Sequence, residues 1–533
     1  MGQWGLLMDV HTLIDGIELR HIGGVGGVED FGAIRVCDLT EDSRTAMPGS
    51  LFVARRGTQD QGSRYIQEAI DAGAVVVVTD DPDTQLPCPC HAALFYVPDA
   101  GLVGAQLAER FYGHPSGQLA IAGITGTNGK TTIAHLIQQI VKHAKIDGHW
   151  VKCGLIGTVV VDDGRERGRA AMTTPPAIEL SRTLATMVEH GCKACAMEVS
   201  SHALDQGRTS AVGIDAAGFT NLTGDHLDYH KTVESYIQAK ARLFSELKPG
   251  ATAIINIDDP VGQTMIEACA EGVKVLRCSM NDPDAQWYGQ VVERSLDGMV
   301  LRIQCPDGIF ESSVPYFGEY NAANVVMALG LSDVLLQRVG LVSADRLRHF
   351  QQVMPTLVLP RGRLERVDTS KDDVRVFVDF AHSDDSIRSC LGAVRGVLPV
   401  GASLWCVFGC GGDRDRTKRP RMGQAACDGA DRVVLTSDNP RTEQPSQIVD
   451  DVLAGLNQSQ QGKVEVQVDR AMAIRFAIDH AAAGDVIVIA GKGHEPEQIM
   501  TDRWGRLVVH AFDDVQHAKD ALADRRSCDE DDS

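Results

Sequence analysis

Residues 119–132 constrain the fold of this chain more than any other stretch. An apolar run, Leu119–Ile124, leads into Thr125-Gly-Thr-Asn-Gly-Lys-Thr-Thr132, and a helical pattern continues from Thr131 to about His143. A buried strand that enters a glycine-rich turn and leaves as a helix points to a parallel sheet with helical crossovers. Such a turn aims backbone N–H groups at one spot, and the helix N-terminus adds partial positive charge, so the turn is suited to an anion. Lys130 is placed to reach the β- and γ-phosphates of a nucleotide, and Thr131 to ligate Mg²⁺. The generic G-x-x-x-x-G-K-[ST] spacing would need glycine at position 124, where Ile124 stands. The fit is therefore to a shorter form, Gly126-x-x-Gly-Lys-Thr. A plain glycine turn carrying an exposed lysine is the bland alternative. The order of strand, glycines, lysine, paired threonines and helix argues against it.

Strand and helix patterns alternate along the rest of the chain. Leu51–Ala54 and Ala74–Thr79 read as strands around a helix at Tyr65–Ala72; Ala194–Val199, Ala216–Asn221 and Ala251–Ile257 read as strands of a central unit. Val374–Asp379, Ser403–Phe408, Arg432–Thr436 and Asp485–Ala490 read as strands of a third, Rossmann-like unit. At roughly 100–200 residues per domain, 533 residues suggest about three α/β domains. The Gly- and Pro-punctuated stretches 113–117 and 355–363 place the boundaries, giving 1–115, 116–355 and 356–533, with the first stretch read as a linker.

The formal net charge of −21 disfavours nucleic acid and anionic membrane surfaces as partners. Part of that charge lies in Asp529–Asp532, read as a solvated end. The 14 cysteines are scattered. Cys192 and Cys195 form a C-x-x-C, but within an apolar run and with no second pair at metal spacing, so buried free thiols are expected. Residues 1–20 lack a basic start followed by an apolar core, and no stretch approaches the ~20 apolar residues of a membrane span. A cytoplasmic monomer is expected.

Three further clusters carry possible chemistry. Met197-Glu-Val-Ser-Ser-His-Ala-Leu204 sets Glu198 at a strand end, a position suited to Mg²⁺ near a phosphate loop, although a lone acid there is more often a cap or a surface charge. Thr220-Asn-Leu-Thr-Gly-Asp-His-Leu-Asp-Tyr-His230 packs Asp225, His226, Asp228 and His230 together, which could equally be a loop satisfying its own hydrogen bonds. Lys240, in Gln238-Ala-Lys-Ala-Arg-Leu-Phe244, would by itself be a solvated helix lysine.

The loop 125–132 resembles the ATP loop of the Mur ligases and of their relative folylpolyglutamate synthase, and the resemblance continues through nearly the whole chain. It implies an ATP-dependent amide-bond-forming ligase with a UDP-binding N-terminal domain, a central phosphate-loop domain and a C-terminal Rossmann-like domain. On that resemblance Gly126, Thr127, Asn128, Gly129, Lys130, Thr131, Thr132, Asn221, Asn324, Arg363 and Asp379 bind ATP. Thr131, Glu198, His226 and a carbamylated Lys240 hold Mg²⁺, and Lys130, Glu198, His226 and Lys240 are catalytic. Ser43, Thr173, Thr174, Ser200, Gln206 and Arg208 bind the acceptor UDP-N-acetylmuramoyl-L-alanyl-D-glutamate. The segments Phe408–Arg416, Ser437-Asp-Asn-Pro-Arg-Thr-Glu443 and Gly491-Lys-Gly-His-Glu495 imply meso-diaminopimelate as the added amino acid, bound by Arg414, Asp438, Asn439, Pro440, Arg441, Gly491 and Glu495. Physics agrees at Arg441: diaminopimelate has a second carboxylate where lysine has none, and a planar guanidinium can bind it through two parallel hydrogen bonds. The chain departs from the family pattern at Gly224, at Phe380 where a tyrosine is usual, and at Asp384 where a proline is usual. The rival readings are a lysine-adding or folylpolyglutamate-type ligase, a P-loop ATPase coupled to motion, and a non-catalytic nucleotide-binding relative.

Overall fold

Three parallel-stranded sheets organise the chain. The computed structural model describes residues 7–24, 31–57, 60–86, 90–224, 227–502 and 504–531. They fall into two compact units: residues 1–222, 230–278 and 327–346 form one, and residues 223–229, 279–326 and 347–533 the other.

The first unit holds two of the sheets. In the N-terminal sheet the order is Arg20–Gly24, Ala93–Tyr96, Val76–Thr79, Ser50–Ala54, Asp38–Thr40, parallel throughout except for the first pair. Val76, Val77 and Val78 are fully buried, as expected for a parallel strand covered on both faces. In the central sheet, Ala120–Thr125 lies between Ala194–Glu198 and Ala216–Phe219, all parallel. Strand order therefore reverses direction at the strand that carries the phosphate loop, the position at which open α/β sheets bind ligands. This sheet is not purely parallel: Cys153–Ile156, Val160–Asp162 and Arg167–Arg169 form an antiparallel meander on its edge. Short polar stretches and Gly164 (φ 89°) make the tight returns that parallel strands cannot make.

The second unit contains a sheet in the order Glu365–Arg366, Arg375–Asp379, Val486–Ala490, Leu404–Cys410, Arg432–Ser437, Val464–Val466. All its pairs but the first are parallel, as the Rossmann-like pattern predicts. It also contains an antiparallel ribbon of Trp287–Ser295, Gly298–Cys305 and Gly308–Val314 that the sequence reading did not anticipate. Beneath the sheet, Arg470 and Asp514 form an ion pair in which both side chains are wholly buried. Asp514 opens the C-terminal helix Asp514–Asp531, so the acidic end expected to be a solvated tail is helical backbone as far as Asp531.

The stretch 113–117 is not a free linker. His114 adopts a left-handed conformation (φ 54°) and starts the short helix Pro115–Gln118. Ser116 is buried, donating to Glu109 Oε2 (2.8 Å) and accepting from the Gly213 N–H (3.0 Å). Proline at the first helical position fixes φ where no N–H is needed, so the residues that suggested a break start a helix instead. Among the described residues no helix is long and apolar enough to cross a membrane. Cys192 and Cys195 are free, buried thiols.

Candidate active site

The phosphate loop is built as its sequence requires. Gly126 has φ 146°, and a Cβ there would stand 1.8 Å from Thr220 Oγ1, so only glycine fits. Gly129 (φ 88°) leads into the helix Lys130–Lys142, one residue earlier than the pattern suggested. The loop is tied to the next strand's end: Thr127 N–H donates to the Asn221 carbonyl (2.8 Å), Asn128 N–H to Asn221 Oδ1 (2.9 Å), and Thr220 Oγ1 to the Asn128 carbonyl (2.7 Å). Lys130 Nζ donates to the carbonyls of Gly126 and Thr127, each at 2.8 Å, which places its ammonium over the loop. Thr132 is buried in the first turn of the helix.

Glu198 ends the neighbouring strand and is 1% exposed. Its carboxylate accepts the Thr131 hydroxyl (3.0 Å), the Thr158 N–H (2.7 Å) and the Thr158 hydroxyl (3.1 Å). Three donors on one buried carboxylate hold it in a single orientation. Thr158 has no motif around it; its role emerges only from the pairing of Cys153–Ile156 with Ala194–Glu198, which brings the following turn to Glu198. Thr158 Oγ1 is also 3.1 Å from Thr173 Oγ1. Thr174 donates to the Glu198 carbonyl (2.8 Å) and accepts from the Ser200 N–H (3.1 Å). Arg208 donates to the Thr174 carbonyl (2.7 Å) and to Gln206 Oε1 (2.8 Å). Thr173, Thr174, Ser200, Gln206 and Arg208 thus form one continuous polar group beside the loop. Gln206 and Arg208 also line a recess with Glu41 and Arg55 of the N-terminal sheet region. Ser43 is elsewhere, donating to Glu68 Oε2 at 2.8 Å.

Lys240 lies in the helix Val233–Ser245 and is 1% exposed, so it is not the solvated lysine its surroundings in sequence suggest. Its Nζ sits 4.3 Å from the centroid of the Tyr236 ring, and Tyr236 OH is 3.1 Å from Thr127 Oγ1 of the phosphate loop. His226 and Asp225 lie outside the described residues. His230 is committed elsewhere, its Nε2 being 2.9 Å from Ser201 Oγ.

Three further residues that the resemblance assigns to ATP, Asn324, Arg363 and Asp379, belong to the second unit. Asn324 is buried, its amide 3.4 Å from Asn321 Oδ1. Asp379 accepts the backbone N–H groups of Leu364 (2.7 Å) and Ala381 (2.9 Å), while burial pushes its pKa upward. Arg363 stacks its guanidinium 4.9 Å above the Phe380 ring. That contact needs only an aromatic face, so it survives the change from the usual tyrosine at 380. Asp384 opens the helix Asp384–Arg395 after the N-cap Ser383, where an acid complements the helix dipole as a proline would complement its φ.

Arg441, Asp438, Asn439 and Glu495 converge in the same unit. Arg441 takes φ 52°, its Nη1 donates to the Gly412 carbonyl (2.7 Å), and its backbone bridges to Met500. A side chain at Gly411 would meet Arg441 Nη1 at 3.2 Å and Arg414 Cγ at 3.7 Å, so both arginines flank that glycine. Asn439 Nδ2 donates to Glu495 Oε2 (2.9 Å). Lys492, a residue that sequence reasoning missed, is fully buried between Asn439 Oδ1 (3.1 Å), Glu495 Oε2 (3.4 Å) and Asp438 Oδ1 (3.6 Å). Gly491 holds φ 118° against Asp438, and Pro440 is buried. Glu443 is clamped by the buried Arg419, whose hydrogen bonds hold its carboxyl down at about 2.

Known families match each part of this framework. Residues 38–112 match the model of the Mur ligase family catalytic domain, 124–332 the Mur ligase middle domain, and 362–493 the Mur ligase glutamate ligase domain. Proteins named UDP-N-acetylmuramoyl-L-alanyl-D-glutamate--2,6-diaminopimelate ligase from Synechococcus elongatus and Gloeobacter violaceus are each 42% identical to this chain, over 93% of it and 95% of their own length. A solved structure of an enzyme with that name matches at a TM-score of 0.69 and 32% identity, covering 98% of this chain and 99% of the other. The fold is shared more distantly with a Thermotoga maritima MurF ligase solved with ADP (TM-score 0.59, 15% identity, 92% of this chain and 98% of the other).

Proposed function

The chain belongs to the Mur ligase family, and from that premise we propose that it joins meso-diaminopimelate to the D-glutamate of UDP-N-acetylmuramoyl-L-alanyl-D-glutamate at the expense of ATP. The observation that carries the choice of amino acid is Arg441, fixed by its own backbone bridge and by Gly412 beside Asn439 and Glu495. A guanidinium held there recognises the far carboxylate of diaminopimelate, and Glu495 and Asp438 suit its ammonium group. Lysine would leave the guanidinium unpaired.

The reaction has two steps. An oxygen of the D-glutamyl carboxylate attacks the γ-phosphorus of ATP, the bond to the bridging oxygen breaks, and ADP leaves an acyl phosphate. The diaminopimelate amine then attacks the acyl carbon, phosphate departs, and the amine loses a proton. Lys130 and the N–H groups of 126–132 orient the phosphates and offset their charge. Thr173, Thr174, Ser200, Gln206 and Arg208 hold the acceptor beside the loop, and Ser43 its nucleotide part. Asn221, Asn324, Arg363 and Asp379 are each assigned to ATP as well.

The buried Thr131 hydroxyl and Glu198 carboxylate, 3.0 Å apart, are the hard oxygen donors that Mg²⁺ takes. His226 and a carbamylated Lys240 are assigned to a second Mg²⁺; burial of Lys240 beside the loop supports converting that ammonium to an anion. When bound, the metal neutralises charge on the transferring phosphoryl group. Boundaries at residues 115 and 355, a monomeric state and a cytoplasmic location complete the reading.

The deciding experiment is phosphate release from ATP with purified protein, the UDP-dipeptide and Mg²⁺, comparing meso-diaminopimelate with L-lysine. Tripeptide product with diaminopimelate alone is expected. Product with lysine would overturn the assignment at Arg441, and silence with both in folded protein would overturn the ligase itself.

A further inference from the structure

A second cavity lies in the first unit, at the end of the central sheet opposite the phosphate loop. It encloses about 550 Å³ and is lined by Ala120, His149, Trp150, Lys152, Lys193 and Arg338, among others. Ala120 begins the strand that ends in the loop, so the strand's length, roughly 20 Å, separates the two sites. The ligase reading makes no use of this cavity.

Its construction starts from a tight hairpin. Lys145–Ile146 pairs antiparallel with His149–Trp150 across Asp147 and Gly148, both at positive φ (50° and 81°), the conformation a two-residue hairpin turn requires. The hairpin raises Trp150 beside the pocket, 60% exposed, with Lys145 Nζ 4.2 Å from its ring centroid. A large apolar ring left this open on the wall of a cavity is a stacking surface for another ring. The charge around it is unusual for this molecule. In a chain of net charge −21, the lining includes Lys152, Lys193 and Arg338 and contains no carboxylate. Two of the three cations are anchored rather than loose. Lys152 Nζ donates to the His190 carbonyl (2.8 Å), and Arg338 Nε pairs with Asp215 (2.8 Å), whose other oxygen accepts the Ile121 N–H (2.9 Å) of the loop-bearing strand.

We propose that this cavity is a ligand site, separate from the ATP site, for a small anion that carries a planar aromatic ring: the ring lies against Trp150 and the anionic group meets Lys152, Lys193 and Arg338. Apolar shape supplies the burial and the cations supply the sign selection.

The probe is anilinonaphthalene sulfonate, a planar aromatic anion, titrated by fluorescence into the full chain with saturating ADP and Mg²⁺. Its uncharged counterpart phenylnaphthylamine is the control. One saturable site is expected, weakened by about ten-fold or more in Trp150→Ala and in Lys193→Glu, and the uncharged compound should bind at least about ten-fold more weakly. Both side chains are exposed, so folding is retained, which circular dichroism melts of each variant confirm. The proposal is overturned if binding does not saturate, if either variant binds like the native chain, or if the uncharged compound binds as tightly. None of these outcomes depends on amide-bond formation, so failure here and failure of the ligase reading are distinguishable.

Discussion

Glu198 shows how much chemistry one side chain gathers. Three hydrogen bonds from Thr131 and Thr158 fix its buried carboxylate, and Glu198→Gln would keep the shape while removing the charge. Phosphate release should fall by about 100-fold or more with little change in melting temperature, as when a charged partner of the transferring group is lost. A Gln variant with native turnover would remove Glu198 from the mechanism. At Arg441, replacement by Lys keeps the charge and loses the planar fork. The kcat/KM for diaminopimelate should drop roughly ten- to hundred-fold, the range for hydrogen bonds to charged groups, while the KM for ATP stays put. Glu443 carries a pH dependence. Its carboxyl is held at about 2, below the ordinary glutamate value of 4.5, by hydrogen bonds from Arg419. A depressed folded-state pKa contributes stability above the unfolded value and loses it as pH falls through the window from 4.5 to 2. Urea midpoints of the native chain should therefore decline across that window more steeply than those of Glu443→Gln. Equal slopes would show that the clamp does not report on folding.

Among the elements, the strand, loop and helix at 120–142 were legible because three independent signals coincide there: an apolar run, glycines where positive φ is needed, and a helix-starting lysine and threonine pair. Gly126→Ala tests the middle of that unit. A methyl group 1.8 Å from Thr220 Oγ1 forces the loop away from its strand, so ADP affinity measured by calorimetry should fall by at least about ten-fold. Unchanged affinity would mean the loop conformation is not what binds. Other elements were hidden for physical reasons. Trp287–Ser295 has one apolar face and one open face, and its register shift between Val291 and Glu293 breaks the alternation by which such strands are recognised. Thr158 and Lys492 were invisible because their partners, Glu198 and Asp438, lie 40 and 54 positions away and only the sheets bring them together. Lys240 was read from a resemblance; helical periodicity alone could not show that its face is the buried one.

For the whole molecule, the number of α/β layers follows from length and from strands alternating with helices, whereas the packing of each layer depends on residues far apart in sequence. Two compact units with their own apolar cores should not melt as one cooperative event. Scanning calorimetry should resolve at least two transitions, and a single transition matching its van't Hoff enthalpy would refute that. Burial likewise dictates thiol chemistry. Burial pushes Cys192 up to about 11 and Cys195 well above the ordinary thiol value, so iodoacetamide at pH 8 should label exposed Cys37 and spare both; their labelling in native protein would contradict the packing. The Arg470–Asp514 pair has a temporal meaning as well. Arg470 lies beside Gly491 and feels the charge of Asp438, yet its counter-ion is encoded 44 residues later. During synthesis Asp514 must therefore emerge before that buried cation can be neutralised, so the packing around Arg470 and Gly491 matures only after the strand Val486–Ala490 has already been made.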